Sequence, residues 1–307
     1  MIKKIVFNIA IVFLVVFVLD FAIGRTLQHF YFKEKSGACF QITYSMETTK
    51  ADILVFGAST ARHHYVPEVF EGTLEGTFYN TGQNALGIFF QLAMLESVLK
   101  RYTPRVIILD AEDSFEKEKS SYERLSCLLP YYREHKEIRK IVELRSPFER
   151  VKMISKIYPF NSHVLTVLGM NLNIIKGDEL YNKGYVPLDG QWENKIYPTD
   201  TYAAYMVDPN KVIAFKEFIV RAKKSGASIF VVYPPILQEL NIRQEIEIRR
   251  EICLNEKVPF WDFSSNVLFY NNKGLFVDMV HLNHDGAMLF SKLIAAKIKD
   301  AINKRMP

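Results

Sequence analysis

An α/β fold built on a five-stranded parallel sheet, preceded by a membrane-spanning helix, is what this 307-residue chain predicts. Two observations carry the expectation. Short continuous Val/Ile/Phe runs alternate with segments of helical periodicity from residue 51 onward, the pattern of strands buried on both faces between crossover helices. The first 24 residues hold a long apolar run that no strand or short core helix needs.

That run, Ile5 to Ile23, would rise about 28 Å as a helix, close to the thickness of a bilayer's hydrocarbon core. Lys3 and Lys4 flank its start, so the positive-inside bias leaves the N-terminus in the cytoplasm and everything after Gly24 outside, in the periplasm or at the cell surface. Asn8 and Asp20 interrupt the run, Asp20 near the outer end where an ionisable group costs less. A cleaved signal peptide is the rival reading, but the run is long and no small-residue cleavage site follows it.

Residues 25–50 read as a mixed connector with room for one helix. Strands follow at 51–59 (ADILVFGAS), 76–82 (GTFYNTG), 104–112 (PRVIILDAE), 227–235 (ASIFVVYPP) and 258–264 (VPFWDFS). Helical periodicity marks 88–102, 212–226, closed by Gly226 as a C-terminal cap, and 286–304. Between about 113 and 209 the rhythm breaks into helical pieces and a turn-rich aromatic stretch. So long an insertion suits a cap or substrate-binding subdomain within the 51–307 domain. In it Trp192, Tyr197, Tyr202 and Tyr205 can stack on a sugar or pack a core.

Composition narrows function. Hydrophobic residues make up 49% and charged ones 24%, an ordinary globular balance, and the net charge of +5 is spread without a basic stripe, which argues against nucleic-acid binding. Cys39, Cys127 and Cys253 are far apart and show no zinc-ligand spacing, so neither a metal nor a disulfide framework is expected. Buried thiols, or one disulfide, remain open.

The chemistry-bearing residues lie at the two ends of the domain. Gly57-Ala-Ser59-Thr60 closes the first strand, where the carboxyl ends of a parallel sheet gather ligands. A serine there can project its hydroxyl into the crevice and aim its own amide at a developing oxyanion, although a serine at such a junction also serves as a helix cap. Serine needs a base, and the base a carboxylate to hold its tautomer. Asp278-Met-Val-His281, before the last helix, offers both within one turn of loop. Asn283 and Asp285 read as helix-start residues. Arg62, His63 and His64, just beyond the serine, are candidates for substrate binding, with His64 also suited to orienting the loop. Glu112 and Asp113 face the same crevice by topology, as a carboxylate pair or as solvated loop acids.

GAST after the first strand and DMVHLN before the last helix resemble the first and last blocks of the SGNH/GDSL hydrolase superfamily, over about residues 51–304. With the anchor and GAST-ARHHYVP, the chain is most similar to the branch of D-alanine transfer and alginate O-acetylation proteins. The resemblance implies a flavodoxin-like three-layer α/β/α fold and a Ser59–His281–Asp278 triad. It also implies an oxyanion site formed by Ser59 and Gly82, with no cofactor. The family's asparagine block falls on Asp110-Ala-Glu112-Asp113, where asparagine is absent; either that donor is missing or another side chain such as Asn84 supplies it. The expected activity is that of an esterase or O-acyltransferase on a cell-envelope polysaccharide or small acyl ester, in company with a membrane-bound acyltransferase. The alternative is a non-catalytic scaffold or carbohydrate-binding relative. A cytosolic nucleotide-binding protein would need a glycine-rich phosphate loop after the first strand, and GAST hardly provides one.

Overall fold

The computed structural model describes residues 1–174, 182–193, 206–237 and 243–304. In chain order the first half contains α1 (Ile2–Lys33), α2 (Gly37–Glu47), β1 (Ile53–Phe56), α3 (Ser59–His64), α4 (Pro67–Leu74), β2 (Phe78–Asn80), α5 (Ile88–Leu99) and β3 (Val106–Asp110). Short helices α6 (Lys119–Glu123), α7 (Arg139–Val142), α8 (Glu149–Lys152) and α9 (Val164–Asn171) follow. The chain then forms α10 (Pro209–Lys224), β4 (Ser228–Tyr233), α11 (Arg243–Asn255), β5 (Phe260–Asp262) and α12 (His284–Asn303).

By its contacts the chain divides into one unit of residues 1–43 and 122–179 and a second of 44–121 and 180–307. The second holds the sheet. Its five strands are all parallel in the order β2-β1-β3-β4-β5, with Val55 opposite Asn80 and Ile108, and Ile108 opposite Phe230. β1 to β3 are buried throughout, as their unbroken apolar runs require. Alternate residues sort to opposite faces. Ile53, Val55, Val106, Ile108, Phe230 and Val232 share a core with Phe70 and Leu74 of α4 and Phe290, Ile294 and Ile298 of α12. On the other face Phe56 meets Phe218 of α10 edge to face. All five expected strands form, each shorter than its apolar run because the flanking residues turn into loops.

α11 is an element the sequence reading omitted. Its face is stitched by ions instead of a simple apolar stripe: Arg249 pairs with Glu245 at 3.0 Å, both almost fully buried, and the guanidinium lies 3.9 Å over the Phe115 ring. Glu245 in turn accepts from Ser114 Oγ and the Phe115 amide, fixing the loop after β3.

In the first unit, α1 does not stop at residue 24. It runs on to Lys33, burying Leu27 and Tyr31. The connector is thus the end of α1 plus α2, and the expected boundaries at 24 and 50 do not coincide with the division of the chain. The Tyr31 ring packs edge-on against Tyr131 and Phe160, and Tyr131 Oη bonds Thr43 Oγ1 at 2.6 Å. The pieces from 122 to 171 are short because Pro130 and repeated 3-10 turns prevent one continuous helix. Asp20 is no stray charge: its carboxylate accepts from Ser155 Oγ (2.5 Å), the Lys156 amide (2.7 Å) and the Ile157 amide (3.3 Å). α1 is the single described helix long and apolar enough to cross a membrane, and its apolar window is wholly exposed. All three cysteines are free thiols.

Candidate active site

The site begins with Gly57. Its φ of +154° lies in a region that residues with a Cβ rarely adopt, and a Cβ there would come within 2.6 Å of Ala61 Cβ and 2.8 Å of Asp110 Cβ. The glycine lets the chain turn sharply out of β1 and straight into α3. Ala58 takes the capping position without a side-chain bond, so Ser59, the first residue of the helix, keeps its hydroxyl for other work.

That hydroxyl meets His281. Ser59 Oγ is 2.7 Å from His281 Nε2, and His281 Nδ1 is 2.7 Å from Asp278 Oδ2. The other Asp278 oxygen accepts the amides of Val280 (2.9 Å) and His281 (2.8 Å), so the three-residue spacing closes a turn on its own carboxylate. Bridging between Phe276 and Leu282 and a bond from the Val277 amide to the His281 carbonyl brace the loop. Asn283 caps α12 by accepting the Gly286 amide, as its position suggested.

The electrostatics suit a base. Burial opposes the charge on His281, yet the hydrogen bond and negative charge of Asp278, with help from Glu112 and Asp110, hold its pKa above the ordinary value. Burial likewise opposes ionised Asp278, but His281 and the two amides outweigh it and bring its carboxyl down to about 2. Asp278 is thus a carboxylate at neutral pH, and in the unprotonated form of His281 its bond holds the remaining proton on Nδ1 and leaves Nε2 free to accept one.

Other expected residues fall differently. His64 is fully buried, and its Nε2 accepts the Leu282 amide at 2.9 Å, so it positions the histidine loop and does not face a substrate. Burial and the neighbouring His281 and His63 hold its pKa well below normal, which keeps that acceptor unprotonated. Arg62 is also buried, donating to Gln83 Oε1 at 3.2 Å, which removes it from the substrate surface. The Gly82 amide is committed to Asn80 Oδ1 at 2.9 Å and is not open to an oxyanion. The glycine is required for another reason, since a Cβ would lie 2.7 Å from the Arg62 amide nitrogen. Asn84 is exposed and bonded to His63, whose ring stands edge-on to His281 at 5.7 Å, so it sits on the rim of the site.

Two carboxyls from the end of β3 complete the floor. Asp110 is buried, accepting from Thr60 Oγ1 (2.7 Å) and Tyr65 Oη (2.9 Å), which ties α3 to β3; burial raises its pKa to about 6 against those bonds. Glu112 interacts with His281, and burial, with the charges of Asp110 and Asp113, raises it to about 7. Asp113 accepts the Ile88 amide at the start of α5, a structural role. Sequence reasoning placed Glu112 and Asp113 at the crevice, as a carboxylate pair or as solvated loop acids, and Asp110 only in a block lacking asparagine; the signal for Asp110 was a lone carboxylate ending an apolar strand, where burial demands partners. Trp192 packs against the core around Phe276 and is no free stacking platform, while Tyr197, Tyr202 and Tyr205 lie outside the described residues.

No family model matches the chain, and no curated protein matches it.

Proposed function

We propose that the chain is a membrane-anchored serine acyl-transfer enzyme of the SGNH/GDSL type, an esterase or O-acyltransferase acting on an ester-modified cell-envelope glycan. The observation that carries this reading is the unbroken relay Ser59–His281–Asp278, two hydrogen bonds of 2.7 Å, the first of them between residues 222 positions apart in the chain. The strand order β2-β1-β3-β4-β5 supports a flavodoxin-like, three-layer arrangement, and the relay stands beside the β1/β3 switch point, where such sheets bind ligands.

In this mechanism Ser59 Oγ attacks an ester carbonyl while its proton passes to His281 Nε2. Asp278 holds the Nδ1 proton and stabilises the imidazolium. Collapse of the tetrahedral adduct breaks the ester C–O bond, and the leaving alcohol takes the proton from Nε2. Water or a glycan hydroxyl then gives up its proton to His281 and attacks the acyl-serine, regenerating Ser59. The Ser59 amide, in the first turn of α3, serves as oxyanion donor, with Asn84 at the rim as a second. α1 as an uncleaved anchor keeps the site near a surface polymer and near a membrane-bound acyltransferase that supplies acyl groups.

Labelling of the full chain with a fluorophosphonate probe tests the reading: a covalent adduct on the parent and none on Ser59→Ala is expected. An unlabelled, folded parent removes it. The occupied Gly82 amide favours one second reading, a non-catalytic glycan-binding relative, which predicts saturable binding of an acetylated glycan with no Ser59-dependent release of acetate.

A further inference from the structure

The first unit carries surface that the acyl-transfer reading does not use. Outside α1, thirteen large apolar side chains are exposed among the described residues, and eight of them fall between residues 144 and 174. Phe148, Val151 and Ile154, around α8, are 65%, 64% and 71% exposed. On α9, Leu165, Leu168 and Leu172 share one face, opposite the buried Val167. Such concentration is unusual for a surface meeting only water.

Its height on α1 is fixed. Asp20, three residues before the apolar run ends, accepts from Ser155 Oγ and the amides of Lys156 and Ile157, so that segment meets α1 about one turn short of the run's outer end. Immediately beyond that level is a cleft of about 70 Å³ lined by Gly24, Arg25, Arg133, Glu134 and Lys156, among others. Three cations face one carboxylate there. Arg25 donates to Gln28 and Arg133 to the carbonyls of Met153 and Ser155. Burial and the charges of Arg133 and Arg25 lower the Lys156 pKa, with the carboxylates of Asp20 and Glu134 opposing them. By sequence this unit has 15 Lys and Arg against 9 Asp and Glu, so it carries all of the chain's net positive charge.

We infer that this face docks on the outer leaflet beside α1, the Arg25–Arg133–Lys156 cleft taking the phosphate of a phospholipid headgroup while Phe148, Val151 and Ile154 enter the acyl boundary. Apolar side chains interleaved with long cations are what an interfacial segment requires, and here Arg150 and Lys152 are those cations, paired with Glu143 and Glu149 at 2.9 Å. The occupant is lipid because the surface is continuous with the span itself. The inference rests on reading α1 as an anchor.

Tryptophan depth measurements separate the two ideas. The full chain is reconstituted into vesicles of phosphatidylcholine and phosphatidylglycerol carrying spin-labelled lipid, with the parent's Trp192 and Trp261 as background. Phe13→Trp reports the anchor and should be quenched by a mid-chain label. Val151→Trp should be quenched on the order of twofold by a shallow label. Quenching at 13 without quenching at 151 overturns the docking inference alone; no quenching at 13 overturns the anchor and the inference with it. Shielding at 151 that arises only when a second protein is added also overturns it. In a separate arm, Arg25→Ala/Lys156→Ala should retain several-fold less phosphatidylglycerol by native mass spectrometry after gentle extraction. Retention equal to the parent refutes the headgroup site.

Discussion

At the scale of single residues, the proposed relay has Ser59, His281 and Asp278 act as one unit, so each removal should cost nearly the full effect. Ser59→Ala and His281→Ala are expected to lower ester turnover by about 10³–10⁴-fold or more, with thermal stability changed little, measured by acetate release and calorimetry. The pH profile follows from the same pair. Activity needs neutral His281, whose pKa Asp278 and Glu112 raise, so the rate should climb with pH through a midpoint above 6.5. Glu112→Gln removes one of the charges holding that proton and should move the midpoint down. Glu112 also links to stability with a definite sign. Its folded pKa of about 7 exceeds the ordinary 4.5, so the folded state holds the proton more tightly and stability falls as pH rises across that window. Glu112→Gln should therefore be more stable than the parent above pH 7 relative to below 4.5, read from denaturant midpoints; an unchanged difference refutes the assignment.

At the scale of elements, two joints place the serine and the histidine. The first is the turn from β1 into α3 through Gly57. Gly57→Ala forces a Cβ onto Asp110 at an unfavourable φ and should cost about 1–3 kcal/mol, with loss of probe labelling. The second is the loop from Phe276 to Leu282, held by His64. His64→Ala leaves the Leu282 amide without its acceptor, at about 1–3 kcal/mol. Its kinetic signature should be a fall in kcat larger than any change in KM, because the base moves and no substrate contact is lost. A variant that changes only KM would return His64 to the substrate surface.

At the scale of the whole molecule, the proposed reading has α1 as an anchor decide where the chemistry takes place. Val12→Arg or Phe13→Arg puts a charge in the middle of the apolar run, at about 2.5–3.5 kcal/mol for insertion. Each should shift the chain out of the alkali-resistant membrane fraction, whereas the parent remains there. If the parent itself extracts with alkali, the anchor fails.

The five strands, the bodies of α5, α10 and α12 and the apolar run near the N-terminus were legible in the sequence because each depends on local periodicity or on a run of one character. The Asp278-x-x-His281 pairing was legible for the same reason: a turn of three residues closes on itself. Elements stabilised by distant partners were not. α11 buries Arg249 against Phe115 and Glu245, and no window of α11 alone announces that. The extension of α1 and the role of Asp20 depend on residues more than a hundred positions away. Likewise the residue types at Gly82, Arg62 and His64 allowed a role in the site, but only the folded chain shows that their polar groups are committed to Asn80, Gln83 and Leu282. The sequence by itself determined which side chains can carry chemistry and where the strands and the N-terminal apolar helix lie, since those follow from covalent character and nearest neighbours. The tertiary structure alone decided which polar groups remain open to a ligand, because hydrogen-bond satisfaction in a buried site is settled by whatever the fold brings alongside.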